Sequence, residues 1–163
     1  YESAMELLTR ADYEHYEISN FARPGAASRH NLIYWHNQEY LGLGPGAFTY
    51  LNGTRSQFAP DLERYLEKCE VLDWKNDVED RLSPEERETE TLVTGLRLRE
   101  GVRPALFSKI LPALQGRLGA LCKEGLLERA GENIRMTDRG KRLPEDVFAF
   151  LLHRDEPFKK KLL

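Results

Sequence analysis

The sequence predicts an α+β fold: a small edge of an α/β barrel, followed from about Leu82 by a mainly helical, winged-helix-like domain. Three observations carry that expectation. Apolar residues recur at helical spacing in several separate windows, some of them opened by capping signatures. Between Tyr13 and Ser19, aromatic or aliphatic residues alternate with polar ones, as a half-buried strand requires. Late in the chain a Gly-Glu-Asn turn, Gly131 to Asn133, separates two short extended runs. The implied divisions are residues 1–55 for the barrel remnant, 56–81 for a helix and linker, and 82–163 for the terminal domain.

Taken in order, Ala4, Leu7, Leu8 and Ala11 mark the end of a helix, and the Tyr13–Ser19 strand stops before the Pro24-Gly25 turn. Arg29 to Tyr40 reads as a loop rich in aromatic and amide side chains. Leu41 to Gly46 reads as a short buried strand entering a turn. Ser56 to Ala59 is extended in character, and Asp61 caps a helix whose core face is Leu62, Tyr65, Leu66 and Cys69. Asp73 to Arg81 is a polar connector. Ser83-Pro84-Glu85-Glu86 is a capping box with proline at the first helical position, and its helix is expected to run on to Gly101. Short and long helices follow over Pro104–Ile110 and Leu111–Lys123. Strands Leu126–Arg129 and Ile134–Met136 flank the turn, and Thr137 caps a last helix through Leu151. Three helices and then a hairpin make the winged-helix order.

Bulk properties narrow the function. Apolar residues make up 40% and charged residues 31% of the 163, which suits a folded soluble domain and not a disordered chain. No apolar run approaches the roughly 18 residues of a membrane span, so no stable membrane insertion is expected. Tyr1 to Arg10 is too charged for a signal peptide. A net charge of −3 gives no global pull toward nucleic acid. Two separated cysteines, Cys69 and Cys122, argue against a disulfide framework and for the cytoplasm. They are also too few to hold a 4Fe–4S cluster.

The most informative residues are Tyr16-Glu17-Ile18-Ser19-Asn20-Phe21-Ala22, then Pro24-Gly25, then His30-Asn31-Leu32-Ile33-Tyr34-Trp35, then Tyr40-Leu41-Gly42-Leu43-Gly44-Pro45-Gly46-Ala47. A His, an Asn, a Tyr and a Trp within six residues each need a partner for a polar tip. They can form an aromatic-walled site with an imidazole able to bind a metal or a porphyrin iron. From spacing alone, the commoner reading is a loop packed over a barrel end, with His30 bonded to backbone.

In order and spacing this string resembles the haem chaperone branch of the radical-SAM, oxygen-independent coproporphyrinogen oxidase family. The resemblance spans nearly the whole chain. It includes Gly95-Leu96-Arg97, Gly125-Leu126-Leu127 and Thr137-Asp138-Arg139-Gly140, which look like that family's carboxyl-terminal domain. Asp12 departs from the pattern, standing where these proteins often have Gly. The resemblance implies a longer parent whose barrel binds a 4Fe–4S cluster and S-adenosylmethionine through residues outside this chain. It also implies haem binding for transfer to an acceptor protein, with His30 as the iron ligand and Asn31, Tyr34 and Trp35 beside the haem. Ala47 and Phe48 are then contacts on the adenosyl side, at a turn shaped by Pro45 and Gly46. The chain alone is expected to be catalytically inactive. The alternative parent is a true oxidase, which decarboxylates coproporphyrinogen III.

Other signals are weaker. Gly42, Gly44 and Gly46 lack the last glycine, the long helix and the βαβ unit of a dinucleotide fingerprint. Arg117, Lys123, Arg129 and Arg135 suit a nucleic-acid module, but Glu85, Glu86, Glu88, Glu90, Glu128 and Glu132 dilute any basic face. No nucleic-acid partner is therefore expected. His15 is read as a half-buried sheet residue, His36 and His153 as surface residues, and Lys159-Lys160-Lys161 as solvated. Unpaired edge strands in residues 1–50 would favour self-association.

Overall fold

A computed structural model describes residues 1–152; His153 and the Lys159–Lys161 run lie outside the described residues. The chain opens with α1 (Glu2–Arg10), β1 (Glu14–Glu17), β2 (Asn20–Ala22) and α2 (Arg29–Trp35). It continues through β3 (Phe48–Leu51), β4 (Thr54–Gln57), α3 (Leu62–Glu70) and β5 (Val78–Arg81). The last part holds α4 (Pro84–Gly95), a 3-10 turn (Pro104–Leu106), α5 (Leu111–Lys123), β6 (Leu127–Ala130), β7 (Asn133–Met136), α6 (Asp138–Lys141) and α7 (Pro144–Leu152). The strands form three separate sheets, β1-β2, β3-β4-β5 and β6-β7, and every pairing is antiparallel. The stretch expected as a barrel edge is thus built from hairpins.

Local chemistry explains most of these boundaries. Asp12 takes φ 59° between α1 and β1, the left-handed turn that a glycine would adopt at less cost. Asn52 and Gly53, both with positive φ, close the β3-β4 hairpin, a sequence suited to a two-residue turn. The capping box forms: Ser83 Oγ accepts from Glu86 N–H at 3.2 Å, and Glu86 accepts from Ser83 N–H at 2.8 Å. The helix it opens stops at Gly95, short of the expected Gly101, because Arg97–Arg99 leaves to pair with β1. α5 ends as expected on Gly125, with Leu126 N–H reaching Leu121 O and Gly125 N–H reaching Cys122 O. Its other end has no cap of its own. Glu88 of α4 supplies one, accepting from Lys109 and Ile110 N–H at 2.8 and 3.1 Å.

Five further expectations need correction. Arg29–Trp35 is a helix and not a loop, started by the Ser28 side chain. Leu41–Gly46 is not a buried strand, since Leu41 and Leu43 are 67% and 76% exposed. The connector contains β5, an edge strand exposed at every residue and held through its backbone. The Thr137-capped helix ends at Lys141, and Pro144 starts a separate one. Pro104–Ile110 shrinks to a single 3-10 turn.

The core sits almost entirely in the last part of the chain. Leu92, Leu96, Leu118, Leu121, Ile134 and Val147 are among its buried members, and Ile18 is its one contribution from ahead of residue 82. Each such side chain contributes roughly 1.5–3 kcal/mol by leaving water. Ile18 reaches the core because its N–H donates to Arg97 O and Arg99 N–H donates to Tyr16 O, at 3.1 and 3.0 Å. That short pairing fastens the β1-β2 hairpin, and with it α2, to the terminal domain.

Candidate functional site

The seven residues of α2 sort the His-Asn-x-x-Tyr-Trp element onto two faces. Residues three or four apart on a helix lie side by side, so His30 stands over Tyr34 and Asn31 stands over Trp35. The His30 and Tyr34 rings meet edge-on, centroids 4.9 Å apart and planes at 90°. His30 is exposed. The other face is tied down. Asn31 Nδ2 donates to the Tyr16 hydroxyl at 3.3 Å. The Trp35 ring carries the Arg97 guanidinium 4.3 Å from its centroid. Just past the helix, Asn37 Nδ2 donates to Thr91 Oγ1 of α4 at 2.9 Å.

Arg97 belongs to a buried polar knot. Its Nη2 lies 3.3 Å from Glu17 Oε2 and 3.4 Å from Ser19 Oγ. Glu17 is buried, and its Oε1 also accepts from Ser19 N–H at 2.7 Å and Asn20 Nδ2 at 2.6 Å. A carboxyl group is costly to bury unless its oxygens find such a set of donors. Trp35 Nε1 and Arg97 Nε are buried without a protein acceptor among the described residues.

An aromatic row leads away from the His30 face. Tyr34 meets Tyr40 at 4.6 Å between centroids, and Tyr40 faces Tyr50 at 6.5 Å. The backbones of Tyr40 and Tyr50 exchange hydrogen bonds of 3.0 and 2.9 Å. Burial pushes the Tyr40 hydroxyl above its ordinary pKa, against the lowering effect of Arg55. Arg55 forks onto Glu90 at 2.7 and 2.8 Å, which holds α4 against the β3-β4-β5 sheet.

Ala47 and Phe48 stand apart from α2, at the start of β3 and a short way ahead of Tyr50. Phe48 is 48% exposed. The preceding glycine segment is fastened on both sides: Gly42 N–H donates to Thr49 Oγ1 at 3.0 Å, and Gly44 N–H to the Tyr65 hydroxyl at 3.1 Å. A Cβ at Gly42 would lie 2.1 Å from Phe48 O, so only glycine fits there. The structure therefore brings His30, Asn31, Tyr34 and Trp35 onto one helix, and relates Ala47 and Phe48 to it through the Tyr40–Tyr50 pairing.

Glu17, Tyr40 and Arg97 lie within the sequence motifs but receive no role of their own from sequence, and Tyr50 lies outside them. A charged residue alternating with apolar ones in the β1 strand pattern was the available sign for Glu17. His15 stacks on Phe21 at 4.2 Å with planes 8° apart and its Nε2 lies 2.9 Å from Ile18 O, in keeping with a half-buried sheet residue. His36 is exposed, 3.8 Å from Glu100. Cys69 and Cys122 are unpaired and partly buried, and burial raises the Cys122 thiol pKa. Among the described residues no three His, Cys, Asp or Glu side chains converge as a metal site would require, and no helix is long and apolar enough to cross a membrane.

Residues 82–143 match the family described as the HemN C-terminal domain. Over 97% of its length the chain is 36% identical to a protein of Lactococcus lactis named heme chaperone HemW, and over 93% it is 32% identical to its Bacillus subtilis namesake. It spans 42% and 41% of those relatives' own lengths. The backbone also resembles coproporphyrinogen III oxidase (HemN) from Escherichia coli, described as a radical SAM enzyme. The TM-score is 0.70 at 15% identity, over 92% of this chain and 39% of that one. At that identity the likeness concerns fold alone. The molecule is thus a mixed α/β protein carrying a HemN-type C-terminal domain. The chain belongs with the HemN and HemW proteins and corresponds to a carboxyl-terminal part of such a protein.

Proposed function

We propose that this chain carries the haem contact of a haem chaperone, with His30 as iron ligand and Tyr34 bracing its ring. The supporting observation is the division of α2. One face is consumed by anchors, while the exposed imidazole touches the Tyr34 edge and is hydrogen-bonded to nothing among the described residues. An imidazole oriented from the side, with its ring nitrogens open, suits axial ligation of a porphyrin iron. Asn31 and Trp35 then serve the site from behind α2. Haem is cargo here, bound for transfer to an acceptor protein. A cytoplasmic setting fits the two unpaired thiols.

The winged-helix-like terminal domain, residues 82–163, acts in this reading as a packing module beside a barrel to which residues 1–55 contribute an edge, with 56–81 linking them. S-adenosylmethionine and a 4Fe–4S cluster belong to the longer parent. Two thiols far apart in the chain do not supply the closely spaced cysteines that such a cluster requires. Ala47 and the half-exposed Phe48 remain the adenosyl-side contacts of the proposal. A nucleic-acid module is not favoured, because Arg135 pairs with Glu128 at 2.8 Å and Arg103 with Glu132 at 2.9 Å.

Titration of the full chain with ferric haem tests the reading. Wild type should develop a histidine-ligated Soret band, and His30→Ala should lose it with at least a roughly tenfold loss of affinity. An unchanged spectrum and affinity would rule His30 out as the ligand.

A further inference from the structure

We propose that Arg97 is the positioning residue of the His30 helix: gripped by buried Glu17, its guanidinium is the flat seat on which Trp35 docks, so the HemN-type domain dictates where His30 stands. This rests on the haem reading of His30, although the seat can be tested without haem.

Seven residues are too few to hold a helix in place unaided, and α2 buries none of them fully. Its placement must come from its contacts. Asn31 to Tyr16 is a long, part-buried hydrogen bond, and Asn37 to Thr91 acts beyond the helix end. Trp35 on Arg97 is the broad contact, and it lies on the same face as Asn31, roughly a quarter-turn round the helix from His30 and Tyr34. Fixing that face fixes the direction in which His30 points.

Arg97 is itself immobile. Its backbone is locked to β1, where Ile18 N–H donates to Arg97 O and Glu17 bridges Leu98. Its head is held by a carboxylate whose own side chain is wholly buried, and by Ser19. A buried ion pair adds less stability than apolar packing of equal volume, yet fixes one geometry. Lysine could answer Glu17, but it lacks the plane that stacks on an indole. The role therefore predicts that charge alone is insufficient at position 97 and that ring shape is what matters at position 35.

The test uses the full chain with Arg97→Lys, Trp35→Leu and Trp35→Phe. Amide hydrogen exchange is read at residues 33–36 of α2 and at 118–122 of α5. Arg97→Lys and Trp35→Leu should speed exchange in the α2 set by roughly tenfold, the size a desolvated cation–π contact supports. The α5 set should not change. Trp35→Phe, which keeps a ring face under the guanidinium, should stay near wild type. With ferric haem as probe, the first two variants should also lose roughly tenfold in affinity, with the Soret band moving toward unligated haem. Unchanged α2 exchange in Arg97→Lys overturns the proposal, and so does equal acceleration in α5, which would mean general loosening. Failure of wild type to bind haem would remove the haem reading, leaving α2 exchange to decide the role of Arg97.

Discussion

α3 and α5, of nine and thirteen residues, are both amphipathic helices, and the molecule treats them in opposite ways. α5 buries Leu118 and Leu121, at 5% and 0% exposure, against α4, α7 and the β6-β7 hairpin. α3 carries Leu62, Tyr65, Leu66 and Cys69 on one face, yet Leu62 and Leu66 remain 60% and 51% exposed. α1 resembles α3, with no buried residue and Leu7 65% exposed. The contrast extends to whole regions. Residues 82–152 close a core upon themselves, whereas residues 1–81 present apolar faces and attach through Ile18 and through polar pairs such as Glu17–Arg97 and Arg55–Glu90. A helical pattern names the apolar face of a helix; it does not name what covers that face.

The sharpest way to break this comparison is to cut a methyl-rich side chain from the closed side. Leu121→Ala removes a wholly buried side chain and should cost about 2–5 kcal/mol, the transfer loss plus the cavity left behind. Urea denaturation of the full chain measures it. A loss under about 1 kcal/mol would mean that the core around α5 collapses freely onto the gap and is not the rigid unit described.

What could be read in the sequence divides along the same line. In the closed region many local signals agree with tertiary structure: the Ser83 capping box, the Gly125 stop and the Leu111–Lys123 helix stand where periodicity and caps put them. Even there α4 stops short of Gly101, Pro104–Ile110 is one turn and Pro144 divides the last helix. In the open region local signals are thin. Arg29–Trp35 offers little apolar periodicity, and its helix depends on Ser28 together with Tyr16 and Arg97, partners that are remote or in another element. Val78–Arg81 lacks alternation because an edge strand needs only its backbone to pair. Leu41–Gly46 suggests burial by its composition, yet Gly42 serves close backbone approach and the leucines face outward. Asn52-Gly53 was a legible hairpin signal that periodicity alone passed over. For the site, the residue types in His-Asn-x-x-Tyr-Trp were visible, but their separation into a presenting and an anchored face was not. That separation appears only once the stretch is helical.

The hairpin that joins the two regions offers a second, smaller test, through pH. Burial lowers the His15 pKa below its ordinary value near 6.5, partly offset by the hydrogen bond to Ile18 O, with Lys141 lowering it further and Glu17 and Asp138 raising it. The sign follows directly. The folded chain favours the neutral ring, so His15 costs no stability above about pH 6.5. As pH falls from there toward the folded value, the unfolded chain takes up the proton more readily and stability is lost. Denaturation at pH 7.5 and 5.5 should show that loss in wild type, and less of it in His15→Phe, which keeps an aromatic ring on Phe21 but cannot titrate. Equal losses would place the acid sensitivity elsewhere.

The smallest expected effect lies on the open side and completes the contrast with α5. Leu66→Ser places a hydroxyl on a helix face that already meets water, so unfolding free energy should move by no more than about 0.5 kcal/mol. The helix retains its Asp61 cap, which accepts from Arg64 N–H at 3.0 Å, and Tyr65 retains its edge-on contact with Phe58 at 5.3 Å. Neither depends on Leu66. Measured across a range of protein concentrations, the midpoint of Leu66→Ser should track wild type throughout. A gap that widens with concentration would mean that a second copy covers this face, and α3 would then be a buried helix like α5, its partner supplied from outside the chain.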